Sequence, residues 1–295
     1  MSHVSPFDIE PLHLDPIPGY HNGTGSHGRR QMIVDPGSVP GTGKLQFLAA
    51  NVHVATMLFQ INQQVVPNWF GVAIPDNVTD FSSPNIFFHP LPAQAGYIDA
   101  DYFSKTGRAS GPIWPDLFYY MELLGYQLDG AIKNYGAPGN QVLIMPFLTS
   151  TATDTGIFHA NWQGIVTDIL TDARILSGVG GSGPVTLSEV VVSSFSAGYV
   201  YSENFRHTAA GVQPLLRQVW DFDGYPKTDS DELLTTATVT AIKYDLASEP
   251  GSYHVPAARW SEFPNPAPAP SPPPPGKDIH HAIRNYMFLD AATRR

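Results

Sequence analysis

The stretch EVVVSSFSAGYVYSENF (189–205) opens with Val190, Val191 and Val192 and passes through Ser194, Phe195, Ser196, Ala197 and Gly198 before its period changes. A run that is apolar on both faces predicts a strand buried in a parallel sheet. Beyond Ser196 the apolar residues Ala197, Val200, Tyr201 and Phe205 fall at helical spacing. Ser196 therefore stands where a buried strand turns sharply into a helix. Small residues flank it two places to either side, Ser194 and Gly198.

Working outward, the same two kinds of segment recur. Short strand-like runs lie at 69–75 (WFGVAIP), 85–90 (NIFFHP), 141–148 (QVLIMPFL), 217–222 (RQVWDF) and 237–244 (ATVTAIKY). Helical spacing connects Leu117, Met121, Leu124 and Leu128, and again Trp162, Ile165, Val166, Ile169, Leu170 and Ala173. Alternation of strand and helix predicts an α/β fold, a mostly parallel central sheet with helices on both faces. Residues 1–44 carry turn chemistry such as DPIPGYHNGTGSHG and little periodicity, which predicts an irregular N-terminal arm ahead of one domain over 45–295. Within that domain SGVGGSGP (177–184) reads as a connector, lacking the lysine of a phosphate loop. The proline-rich segment 264–276 is expected to be extended, and it leads to a final helical segment, IHHAIRNYMFLDAA (279–292).

Composition narrows the function classes. The 295-residue chain has ample core material, with 42% hydrophobic residues, and its formal charge is −10. That charge provides no basic surface to neutralise phosphates, so neither nucleic acid nor an anionic membrane surface is the expected partner. Absence of cysteine excludes disulfides, thiolate catalysis and Cys-ligated zinc. The 11 histidines show no H-x-x-x-H or H-E-x-x-H spacing, so no metal is expected. No glycine-rich nucleotide loop follows a strand, and no cofactor is expected. The N-terminus lacks the basic start and apolar core of a signal peptide, and no apolar run reaches about 18 residues, so a soluble, cytoplasmic protein is expected.

A serine hydroxyl becomes a nucleophile when a base takes its proton and fixed N–H donors receive the oxyanion. A tight strand-to-helix turn supplies the geometry and aims the helix N-terminus at the developing charge. Here Ser194-Phe195-Ser196-Ala197-Gly198 resembles the G-x-S-x-G nucleophile elbow of the α/β-hydrolase superfamily, with serine in the place of the first glycine. The resemblance implies a catalytic order of serine, acid and histidine along the chain. His280 matches the position of the base, with His281 as the alternative, at the start of a helix that Asp278 caps and that turns Ile283, Tyr286 and Met287 inward. His207 lies too far along the helix after the elbow to reach Ser196. His254 sits in a loop. For the acid, alternation along VWDFDG puts Asp221 and Asp223 opposite Trp220 and Phe222. Asp223 ends that strand and Asp245 ends the next, and both remain open, with Asp223 preferred. The oxyanion hole implied by the resemblance takes the N–H of Ala197 and a second from His89 or Leu91, because Pro90 and Pro92 have none.

The expected function is hydrolysis of carboxylic esters through an acyl-enzyme, with a small-molecule ester as partner. Residues 93–111 and the aromatics Tyr97, Tyr102, Phe103, Tyr253 and Trp260 are candidate pocket walls. The competing reading keeps the same sheet as a non-catalytic binding scaffold.

Overall fold

Val190, Val191 and Val192 are buried on both sides, and so is the rest of the strand they begin. That requires a layer on each face. Burying one such side chain stabilises a fold by roughly 1.5–3 kcal/mol. The computed structural model describes residues 9–12, 22–24, 29–32, 53–61, 69–89, 124–125, 128–133, 136–147, 156–179, 181, 183–196, 198–222, 239–244, 288 and 291–292. They hold strands β1 (Ile9–Leu12), β2 (Asn22–Thr24), β3 (Arg29–Met32), β4 (His53–Ile61), β5 (Trp69–Pro75), β6 (Asn85–Phe88), β7 (Leu143–Pro146), β8 (Val190–Phe195), β9 (Leu216–Phe222) and β10 (Thr240–Tyr244). Helix α1 (Gly156–Ser177) precedes β8, and α2 (Gly198–Thr208) follows it.

The strands form one sheet in the order β10-β9-β8-β6-β7-β5-β4-β3-β2, with β1 pairing on β4. From β10 to β7 all neighbours are parallel, and from β7 through β5 to β2 they are antiparallel. The sheet is thus mixed, which corrects the expectation of a mostly parallel one. The cause is connection length: only residues 62–68 separate β4 from β5, too few for the crossover that a parallel pair requires.

The arm expected to be irregular also contributes strands. β1 and β3 pair antiparallel with successive halves of β4, at Leu58–Ile61 and His53–Ala55 respectively. These strands are short and broken by turn residues, so their sequence shows almost no alternation. Their backbone pairing with a long neighbour replaces the missing pattern. Pro11 is tolerated in β1 because an edge strand has one side free of ladder bonds.

Helical residues cover both faces. On the first, Trp162, Ile165 and Ile169 of α1 join Phe205 of α2 over Ile86, Phe88, Ile144 and Val192. The ring of Phe205 lies 5.4 Å from Phe88 and 5.5 Å from both Phe158 and Trp162. On the second, Phe288 packs on Trp220 and Phe222, each at 5.5 Å, and on Phe87 at 6.2 Å. Helical residues 124–125 lie there too: a Cβ on Gly125 would be 2.8 Å from both Ala73 and Val54.

All six apolar residues expected on the inner face of α1 are buried, as are Leu124 and Leu128, while Leu117 and Met121 lie outside the described residues. In α2, Tyr201 and Phe205 are buried but Val200 is 48% exposed, contrary to the expected stripe. Tyr199, Ser202 and Arg206 are buried instead. α2 is covered on a second side, so its sequence carries polar residues at buried positions and its apolar periodicity is misleading there. Burial raises the pKa of the Tyr201 hydroxyl above its ordinary value, so it stays neutral in the core.

Candidate active site

β8 ends at Phe195, and the next residue adopts φ 53°. Ser196 is the only non-glycine residue with positive φ among the described residues. The left-handed conformation costs a residue with a side chain of order 1–3 kcal/mol, so it persists only where the surroundings impose it. Three contacts do so here. The Ser196 N–H donates to the Phe222 carbonyl at 3.0 Å, which carries the β8–β9 ladder one residue past the strand. The Ser196 carbonyl accepts the Tyr199 N–H at 3.1 Å, closing the first turn into α2. Gly198 then sits against the end of β6, where a Cβ would lie 2.2 Å from the Phe88 carbonyl oxygen and 2.8 Å from that of His89. Only glycine fits at that distance.

The residues before the turn are fully buried, and Ser196 is the first to be partly exposed. It emerges beside the start of α2, whose first turn carries no acidic residue to offset its N-terminal amides. The turn also occupies a special place in the sheet. From β6 the chain crosses to β7 on one side, then returns past β6 to β8 on the other. The carboxyl ends of β6 and β8 therefore flank a topological switch point, where connections diverge and leave a crevice. Ser196 directly follows one of these strands and His89 the other.

His89 is fully buried, its ring edge-on to Phe147 at 6.4 Å between centroids. Asp221 is buried on β9 and pairs in register with Ser194, on the face opposite Trp220 and Phe222, as strand alternation requires. The Ser194 hydroxyl lies 3.5 Å from Asp221 Oδ1. His207 falls in the last turn of α2 and is exposed, remote from the elbow.

The other sequence-derived site residues, Ala197, Leu91, Asp223, Asp245, His280, His281 and His254, lie outside the described residues, as do 93–111 with Tyr97, Tyr102 and Phe103, and Tyr253 and Trp260. In sequence Asp223 directly follows β9 and Asp245 directly follows β10. Among the described residues no group of three His, Asp or Glu side chains could hold a metal ion. No described helix is long and apolar enough to cross a membrane.

The sequence reading passed over the Ser194–Asp221 contact, because a register between residues so far apart leaves no local trace. It also passed over His159, which is buried on α1 and meets the Thr208 hydroxyl at the end of α2 through Nδ1. That contact fastens the far end of α2. The only signal for it was a histidine on the inner side of an otherwise apolar helix.

No family model matches the chain, and neither does any curated protein. Among solved structures, it is similar to a ligand-bound form of the rice cell wall degrading esterase LipA from Xanthomonas oryzae, at 13% identity and a TM-score of 0.35. That match covers 62% of this chain and 47% of the esterase. A single-residue mutant of the same esterase matches at 13% identity and a TM-score of 0.33, over 63% of this chain and 47% of that one. The chain thus spans about half the length of each.

Proposed function

We propose that the protein is a serine hydrolase of the α/β-hydrolase type that cleaves carboxylic esters. The observation that carries this reading is the left-handed Ser196, held between a buried strand and a helix N-terminus at the switch point of the sheet. A strained serine is retained where its hydroxyl must be presented, and a plain strand end would not need it.

In this reading Ser196 Oγ attacks the ester carbonyl carbon while His280 takes its proton, and Asp223 orients the imidazole. The tetrahedral oxyanion is received by the N–H of Ala197 and by one from Leu91 or His89. Collapse expels the alcohol, which leaves with the proton from His280. Water then attacks the acyl-enzyme, again giving its proton to His280, and the acid departs as Ser196 is restored. His281 and Asp245 are the alternative base and acid.

One further observation supports a base in the segment ahead of Phe288. Phe288 packs at the carboxyl ends of β6 and β9, whereas the Ala292 carbonyl accepts from Gln141 Nε2, ahead of β7. The chain therefore runs from the carboxyl edge of the sheet toward its amino edge here. Phe288, which follows the proposed base closely in sequence, thus lies at the edge of the sheet that bears Ser196.

Rapid mixing with p-nitrophenyl acetate tests the reading. It predicts a burst of one equivalent of p-nitrophenol per chain, absent in Ser196→Ala. A burst that survives in Ser196→Ala, or no turnover of any short-chain ester by folded protein, would overturn it.

A further inference from the structure

The elbow departs from the glycine pattern at Ser194, and its surroundings give that departure a role. Ser194 and Asp221 are cross-strand partners on β8 and β9, both with no solvent exposure, and the hydroxyl donates toward Asp221 Oδ1 at 3.5 Å. One rung further, Phe195 pairs with Phe222. Immediately beyond, the Ser196 N–H reaches the Phe222 carbonyl. The Ser194–Asp221 contact therefore ties the two strands side chain to side chain within two residues of the strained turn.

A carboxylate sealed from water depends on fixed donors, and removing one leaves it short of compensation. Glycine at position 194 would fit the turn but supply no donor. We propose that Ser194 and Asp221 act as a positioning pair that sets the spacing of the β8 and β9 ends, and so holds Ser196 in its left-handed conformation. The catalytic consequence rests on Ser196 being the nucleophile, but the structural one does not.

The pair is tested on the full chain with Ser194→Ala, Asp221→Asn and the double variant. Amide exchange is read at Ser196, with the Ile86 and Ile144 amides in β6 and β7 as internal references. Loss of the donor in Ser194→Ala should speed exchange at Ser196 about tenfold, and Asp221→Asn, which keeps an acceptor oxygen but weakens the bond, should speed it less, with the references unchanged in both. The double variant should exchange no faster than the faster single. Fluorophosphonate acylation should slow about tenfold in its maximal rate without a change in the concentration for half-saturation. Unchanged exchange at Ser196, a uniform rise across all three strands, or effects of the two substitutions that multiply would each overturn the pairing. Should Ser194→Ala fail to fold, Ser194→Gly offers the same loss of donor with the family's residue, and the same exchange result is expected. A wild-type protein that takes no probe would defeat the proposed function, while the exchange measurements still decide the pair.

Discussion

The two ends of β8 are built on opposite terms. At the amino end, Glu189 accepts from the Ser83 hydroxyl at 2.8 Å and meets Arg217 Nε at 3.4 Å, and Ser188 bonds to Ser82. Apart from the buried Ser83 these groups reach solvent, no residue there has a positive φ, and the contacts tie the amino ends of β6, β8 and β9 together. At the carboxyl end, the same three strands hold one serine in a strained conformation, with a glycine wedged against two carbonyls. One end simply closes the sheet. The other stores strain at Ser196, which in the proposed function serves to present its hydroxyl.

The largest test of this contrast is Gly198→Ala. Its methyl group would overlap the Phe88 carbonyl, and backbone at the end of a central strand cannot yield, so a loss of more than about 4 kcal/mol is expected. Urea denaturation reads it; a small loss would mean that α2 is not seated on β6 as described. Next in size is Phe288→Ala, which empties the box formed by Phe87, Trp220 and Phe222 and should cost about 3–5 kcal/mol in the same measurement. Because Phe288 belongs to the segment that carries the proposed base His280, esterase activity should fall further than stability alone accounts for.

Ser196→Gly should act in the opposite direction on stability. Glycine adopts φ 53° without strain, so the melting transition should rise by the equivalent of about 1 kcal/mol while activity vanishes. A neutral or destabilising result would show that the turn is unstrained. The smallest effect belongs to the other end of the strand. Arg217 has a side chain 58% exposed, and removing its partner in Glu189→Gln should change stability by less than about 1 kcal/mol and leave activity intact. A large loss of activity there would erase the distinction between the two ends.

How far the sequence foretold this arrangement depends on where each instruction is written. β5 through β10 were legible as apolar runs, because a short run of that kind marks a strand without reference to its partner. The expected limits fall within a few residues of the observed ones, and those of β5 coincide with them. β4 escaped notice: its buried Val54, Met57 and Phe59 do not share one face, so no simple alternation marks it. Strand direction was misjudged for β5, since it depends on how much chain is left to cross the sheet. Among the N-terminal strands β1 and β3 pair with β4 and β2 with β3, and all three carry little pattern of their own.

Within the site, Ser196 was legible because small residues at fixed offsets on both sides are a local requirement of a tight turn. Ser194 was read only as small. Its contact with Asp221 depends on the register of two strands, which no short window of sequence records. His280 and Asp223 were reached through chain order and their places at the ends of expected elements, arguments along the chain that are independent of distance.

The central claim is that Ser196 is an activated nucleophile. Its most direct test is intact-mass analysis after treatment with a fluorophosphonate probe. The account predicts a single adduct on the wild-type chain, none on Ser196→Ala, and strongly slowed addition on His280→Ala. A folded wild-type protein that takes up no probe, or one that is labelled equally well without Ser196, would contradict it.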